Sequence, residues 1–168
     1  MMNNSMKPSV FVLLLLAVYL LPVQGVMAAG DSDGAVKVVY HADFSDPRRF
    51  SAMLTSINNM VTFYQDELVD YDIRVVFVAH GIRFLTDDKL ADTPFASDDA
   101  LEERRSNIKG RLSSLNTVQG VKLELCDITR AQIKLSEEKL YTGVTNVPSG
   151  VVRLAELQHQ GFAYIKIE

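Results

Sequence analysis

The sequence predicts an α/β protein built on one five-stranded, mainly parallel sheet with helices on both of its faces. Three observations predict this. Five short runs are apolar and rich in β-branched residues. The stretches between them carry apolar residues at three and four spacing. The longer of these stretches open at a capping residue. Strands that are apolar on both faces and alternate with helices belong to covered parallel sheets. The length of 168 residues suits a single domain. Charged residues at 23% and hydrophobic residues at 48% exclude a disordered, collagen-like or multi-span membrane chain.

Each element follows in order. Ala35 to Tyr40 reads as the first buried strand. Asp46 before Pro47 is a helix start, with a capping carboxylate and proline at the first helical position. Phe50, Met53, Leu54, Ile57, Met60, Val61, Tyr64 and Leu68 then mark one apolar face of a long helix. Asp72 to Ala79 is the second strand, ended by His80-Gly81. Gly81 to Phe95 is irregular, with room for a short helix. Its Phe84, Leu85 and Phe95 are candidates for burial against a neighbouring chain. Ser97 or Asp98 caps a second long helix, whose inward positions are Leu101, Ile108, Leu112, Leu115 and Val118 and which stops at Gly120. Arg104, Arg105, Lys109 and Arg111 read as its solvated face. Val121 to Leu125 is the third strand, with Cys126 at its end. Thr129 caps a short helix, Val144 to Val147 is the fourth strand, and Ser149 caps the last helix. That helix is expected to turn Val151, Val152, Leu154, Ala155 and Leu157 inward. Phe162 to Ile167 closes the sheet.

The N-terminus reads as an address. Lys7 precedes a 12-residue apolar run, Val10 to Leu21; Pro22 breaks it, and small residues follow at Ala28 and Ala29. This is the order of a secretory signal peptide, and the run is short of the roughly 20 residues that span a bilayer. An uncleaved anchor is the alternative. No cysteine follows the run, which excludes a lipoprotein. The chain thus divides into a signal peptide at 1–28, a linker at 29–34 and one domain at 35–168. The expected compartment is the periplasm, with no stable membrane association after cleavage. The net charge of −4 disfavours nucleic acid as a partner. The single cysteine excludes an internal disulfide and a cysteine-rich zinc framework.

Ligands of open parallel sheets bind beyond the carboxyl ends of the strands. His41, His80 and Cys126 each follow a strand, so all three are expected at one rim. A helix start after Cys126 would stabilise its thiolate, as would a protonated histidine nearby. The alternatives for the same residues are a small buried cysteine with two loop-capping histidines, and a Cys/His metal site. Other chemistries are absent: the turn after the first strand has no glycine for a dinucleotide, no GxxxxGK[ST] occurs, and Ser149 lacks the glycine of a nucleophile elbow.

Four stretches carry a family resemblance: Lys37 to Asp43 (KVVYHAD), Val75 to Phe84 (VVFVAHGIRF), Gly120 to Thr129 (GVKLELCDIT) and Val147 to Ile167. In these the chain resembles the DsrE/DsrF-like sulfur-relay family, especially its exported single-domain members. The resemblance implies a three-layer α/β/α sandwich and assembly into homotrimers or homohexamers. It also implies a cysteine, here Cys126, that accepts sulfane sulfur as a persulfide from a donor protein and passes it to an acceptor. On this reading His41 and His80 tune the thiolate or bond the terminal sulfur, and no cofactor is needed. A non-catalytic homo-oligomeric binding module with an inert cysteine is the alternative, as is the Cys/His metal site. Asp127-Ile128 stands where the family commonly has asparagine. An acid beside the thiolate is expected to raise its pKa.

Overall fold

The computed structural model describes residues 34–168. The predicted signal peptide and all but the last residue of the linker lie outside these residues. The strands are β1 (Val36–Ala42), β2 (Tyr71–Phe77), β3 (Lys122–Cys126), β4 (Val144–Val147) and β5 (Ala163–Ile165). They form one five-stranded sheet in the order β4-β3-β2-β1-β5, and every pairing is parallel. The helices are α1 (Pro47–Asp66), α2 (Asp99–Glu102), α3 (Arg105–Thr117), α4 (Asp127–Gln132) and α5 (Gly150–His159). Among the described residues no helix is long and apolar enough to cross a membrane.

The two faces of the sheet are unequal. On one face Val38, Tyr40, Ile73, Val75, Phe77, Leu123 and Leu125 pack against α1 and α3 in the main core. Phe50 of α1 stacks flat on Phe84 at 4.0 Å between ring centroids. The opposite face is covered by α5, through a small cluster of Val39, Val76, Leu154, Leu157 and Phe162. The start of α1 is as the sequence predicts: the Asp46 carboxylate accepts from the Arg48 amide, with Pro47 in the first turn.

Several expectations are corrected. The predicted second long helix is broken between Glu102 and Arg105 into α2 and α3. Arg105 is not on a solvated face. It is buried, paired with Glu102, and donates to the carbonyls of Arg83 and Thr86. Leu68 and Val118 lie beyond the last turns of their helices and are exposed. Val151, Val152 and Ala155 face outward, because the apolar contacts of α5 with the sheet come from Leu154 and Leu157. Phe84, Leu85 and Phe95 are buried within their own chain, so they no longer argue for a neighbour. The segment after β2 is a 3-10 helix, Ala79–Phe84.

Candidate functional site

Strand alternation sets the site. Along β3, Leu123 and Leu125 enter the main core, so Glu124 and Cys126 face α5. Cys126 is the last residue of β3 and the residue immediately before α4, with extended backbone. It is 4% exposed. From the other side comes the start of α5. Ser149 caps this helix by accepting from the Val152 amide, and Gly150 follows as its first residue. A Cβ at position 150 would lie 2.6 Å from Val78 Cγ2 and 3.0 Å from Cys126 Cβ. Only glycine lets this amide come so close.

The Cys126 sulfur therefore sits between two helix starts. It makes no capping hydrogen bond of its own within α4. Burial is the largest influence on the thiol and pushes its pKa up. The backbone N–H groups of Gly150, Thr129 and Ile128, together with the Thr129 hydroxyl, favour the thiolate and outweigh burial. The net pKa is below the ordinary thiol value. Thr129 is buried, and its Oγ1 accepts from the Ala79 amide at 3.1 Å. That bond uses an oxygen lone pair and leaves the hydroxyl proton free to point at sulfur. Ala79 itself adopts a left-handed backbone, φ 48°.

The expected effect of Asp127 is overturned. Its carboxylate is bound by Arg130, at 2.7 Å from Nε and 2.6 Å from NH2, so it is neutralised one helical turn away. The leading influences on Cys126 are burial and the groups of Gly150, Thr129 and Ile128, and the net pKa lies below the ordinary thiol value.

His80 follows β2 as expected, whereas His41 does not stand beyond its strand. His41 does not follow the first strand; it lies inside β1, opposite Val76 of β2. Its Nδ1 shares a 2.9 Å hydrogen bond with the Tyr164 hydroxyl, and its Nε2 is 3.8 Å from the Asp43 carboxylate, which is itself bound by Lys166. Burial pulls the His41 pKa down, Asp43 raises it, Lys166 lowers it, and the net is below the ordinary value. His41 and Cys126 share the α5 face, but β2 separates their strands, about 10 Å at ordinary strand spacing. His80 lies in the 3-10 helix, with its ring edge-on to Phe95 at 5.3 Å. Neither ring is among the leading influences on the sulfur. His80 reaches the site only through its neighbour, the Ala79 amide. Among the described residues no group of three or more His, Cys, Asp or Glu side chains could hold a metal ion, so the Cys/His metal reading has no ligand set there.

The sequence reading missed Gly150, Glu124 and Arg153. Glycine directly after a capping serine was the signal for a close approach. A glutamate in an otherwise buried strand was the signal for a cation facing it. Glu124 accepts from Arg153 Nε at 2.7 Å and NH2 at 3.0 Å, and from Arg74 NH1 at 3.0 Å.

A parallel α/β sheet that ends in a cysteine against two helix starts defines a class: a thiol-bearing protein of the covered-sheet type. Residues 37–167 match the DsrE/DsrF-like family, and the chain belongs to it. Among solved structures, the chain is similar to MTH1491, a protein of unknown function from Methanobacterium thermoautotrophicum. The identity is 27% and the TM-score 0.58, over 78% of this chain and 98% of that one. It is also similar in fold to the ychN protein of E. coli, at 19% identity and TM-score 0.52, over 78% of this chain and 98% of that one. No curated protein matches the sequence. The family is generally one of sulfur relay.

Proposed function

We propose that the protein is a sulfur carrier in which Cys126 holds sulfane sulfur as a persulfide. The observation that carries this reading is the place of Cys126, at the end of β3 directly before α4 and with its Cβ 3.0 Å from where a side chain on Gly150 at the start of α5 would stand; the amides of Gly150, Thr129 and Ile128 and the Thr129 hydroxyl there favour the thiolate. The Cys126 thiolate attacks the outer sulfur of a donor persulfide. The Sγ electron pair forms the new S–S bond, and the donor's S–S bond breaks with its electron pair leaving as a thiolate. Transfer onward is the same displacement by an acceptor thiolate, so no external oxidant or reductant is consumed. The added sulfur would stand about 2 Å beyond Sγ.

The leader at 1–28 would place this carrier in the periplasm, with donor and acceptor proteins there and assembly into a homotrimer or homohexamer. In this proposal Cys126 alone carries sulfur. His41 and His80 act at most through Tyr164 and the Ala79 backbone.

Incubation with a sulfane donor followed by intact mass tests the reading. The expected result is a gain of one sulfur atom, removed by reductant and absent in Cys126→Ser. An unchanged wild-type mass overturns it. The 4% exposure of Cys126 favours the second reading, a binding module with an inert cysteine. On that reading the thiol reacts with alkylating reagents only after unfolding.

A further inference from the structure

The apolar contacts of α5 hold only part of that helix. Leu154 and Leu157 pack with Val39, Val76 and Phe162, which belong to β1, β2 and the approach to β5. The first turn of α5 has no such anchor toward β3. Gly150 contributes no side chain, and Val151 and Val152 are exposed at 65% and 55%. Yet this turn must stay registered over β3 for the Gly150 amide to meet the sulfur. Apolar contact is non-directional and would let the turn slide.

The only side chain of the first turn that grips β3 is Arg153. It forks onto both carboxylate oxygens of Glu124, at 2.7 and 3.0 Å. Such a two-point contact fixes direction as well as distance. Glu124 is two residues before Cys126 on the same strand and face, and Arg153 is three residues after Gly150 on the same helix. One strand thus presents sulfur and carboxylate, and one helix presents amide and guanidinium to them. Arg74 of β2 braces Glu124 from its other side, and is itself held by Asp72 and stacked over Phe162. Lys122 also bonds Asp72, and Glu156 lies 3.6 Å from Arg153.

We propose that Glu124 and Arg153 are positioning residues, a directional latch that keeps the first turn of α5 in register with β3 so that the Gly150 amide remains against the Cys126 sulfur. The inference deepens the sulfur-carrier reading and rests on it.

The test is the pH titration of thiolate absorbance in the intact protein. The chain has one cysteine, and a Cys126→Ser blank removes the tyrosine background. The variants are Arg153→Gln, Arg153→Lys and the double change Glu124→Met with Arg153→Met. Removing one partner of a buried pair can prevent folding, whereas replacing both by apolar residues commonly preserves it, so the double variant keeps the test decisive. In the double variant and in Arg153→Gln the thiol pKa is expected to rise by about one unit, a tenfold smaller thiolate fraction at a pH below both values. Arg153→Lys keeps the charge without the fork and is expected to fall between. A depressed wild-type pKa that the folded double variant shares overturns the latch and leaves the carrier reading standing. A wild-type pKa at the ordinary thiol value overturns the carrier reading, and the latch with it.

Discussion

Thr129→Val separates the chemistry of the Thr129 hydroxyl from its shape. Valine keeps the volume of threonine in a buried position and removes one oxygen that serves two groups. The first is the thiolate. A hydrogen bond to a charged group contributes about 1.5–3 kcal/mol. One pKa unit corresponds to about 1.36 kcal/mol, so the Cys126 pKa is expected to rise, by less than loss of the Gly150 amide would raise it. The second is the Ala79 amide, which donates to Oγ1 at 3.1 Å and holds a left-handed alanine in place. Left without its acceptor, this half-buried amide costs about 1 kcal/mol, near the low end for an unsatisfied donor. For a chain of this size that lowers Tm by about 4 °C. The assay is thiolate absorbance against pH alongside thermal unfolding, with Thr129→Ser keeping the oxygen. Wild-type titration in a folded Thr129→Val protein would show that the hydroxyl does not address the sulfur.

Two further outcomes follow from the same geometry. Gly150→Ala puts a Cβ within 2.6 Å of Val78 and 3.0 Å of Cys126, so the protein should lose about 1–3 kcal/mol in urea unfolding and its thiol pKa should rise; an unchanged midpoint and titration would show that α5 does not approach the sulfur so closely. Glu124 governs part of the acid stability: burial pushes its pKa up, but Arg153 and Arg74 bring it below the ordinary 4.5. A carboxylate depressed in the folded state gives stability that is present above about pH 4.5 and is lost as the pH falls through the folded value. The urea midpoint of the wild type should therefore fall below that pH, and more steeply than that of the Glu124→Met, Arg153→Met double variant; parallel acid limbs would refute the assignment.

The frame was legible because local signals and the global fold agree. Asp46-Pro47 and the spacing from Phe50 to Val61 specify α1 before any tertiary contact is known. A parallel sheet covered on both faces follows from apolar runs alternating with helices. The site was legible only in part. Cys126 at the end of β3 could be placed, since a strand end followed by a helix is visible in sequence. His41 was misplaced because β1 continues two residues beyond Tyr40, pairing Ala42 with Phe77; register with a neighbour, not composition, sets where a strand stops. Asp127 was assigned the wrong influence because its partner Arg130 stands three residues on, and the charge of a helix start depends on such pairs. Thr129 read as a helix cap, but its acceptor role goes to Ala79, 50 residues earlier in the chain. Glu124 and Arg153 form a contact between distant segments, and nothing local announces which cation a buried acid will find.

The sulfur's polar neighbours come from two stretches of chain, residues 128–129 and residue 150, and the second belongs to a different helix, α5. Docking of α5 brings the Gly150 amide to the sulfur, so a polypeptide in which this helix is undocked is expected to hold a less acidic thiol.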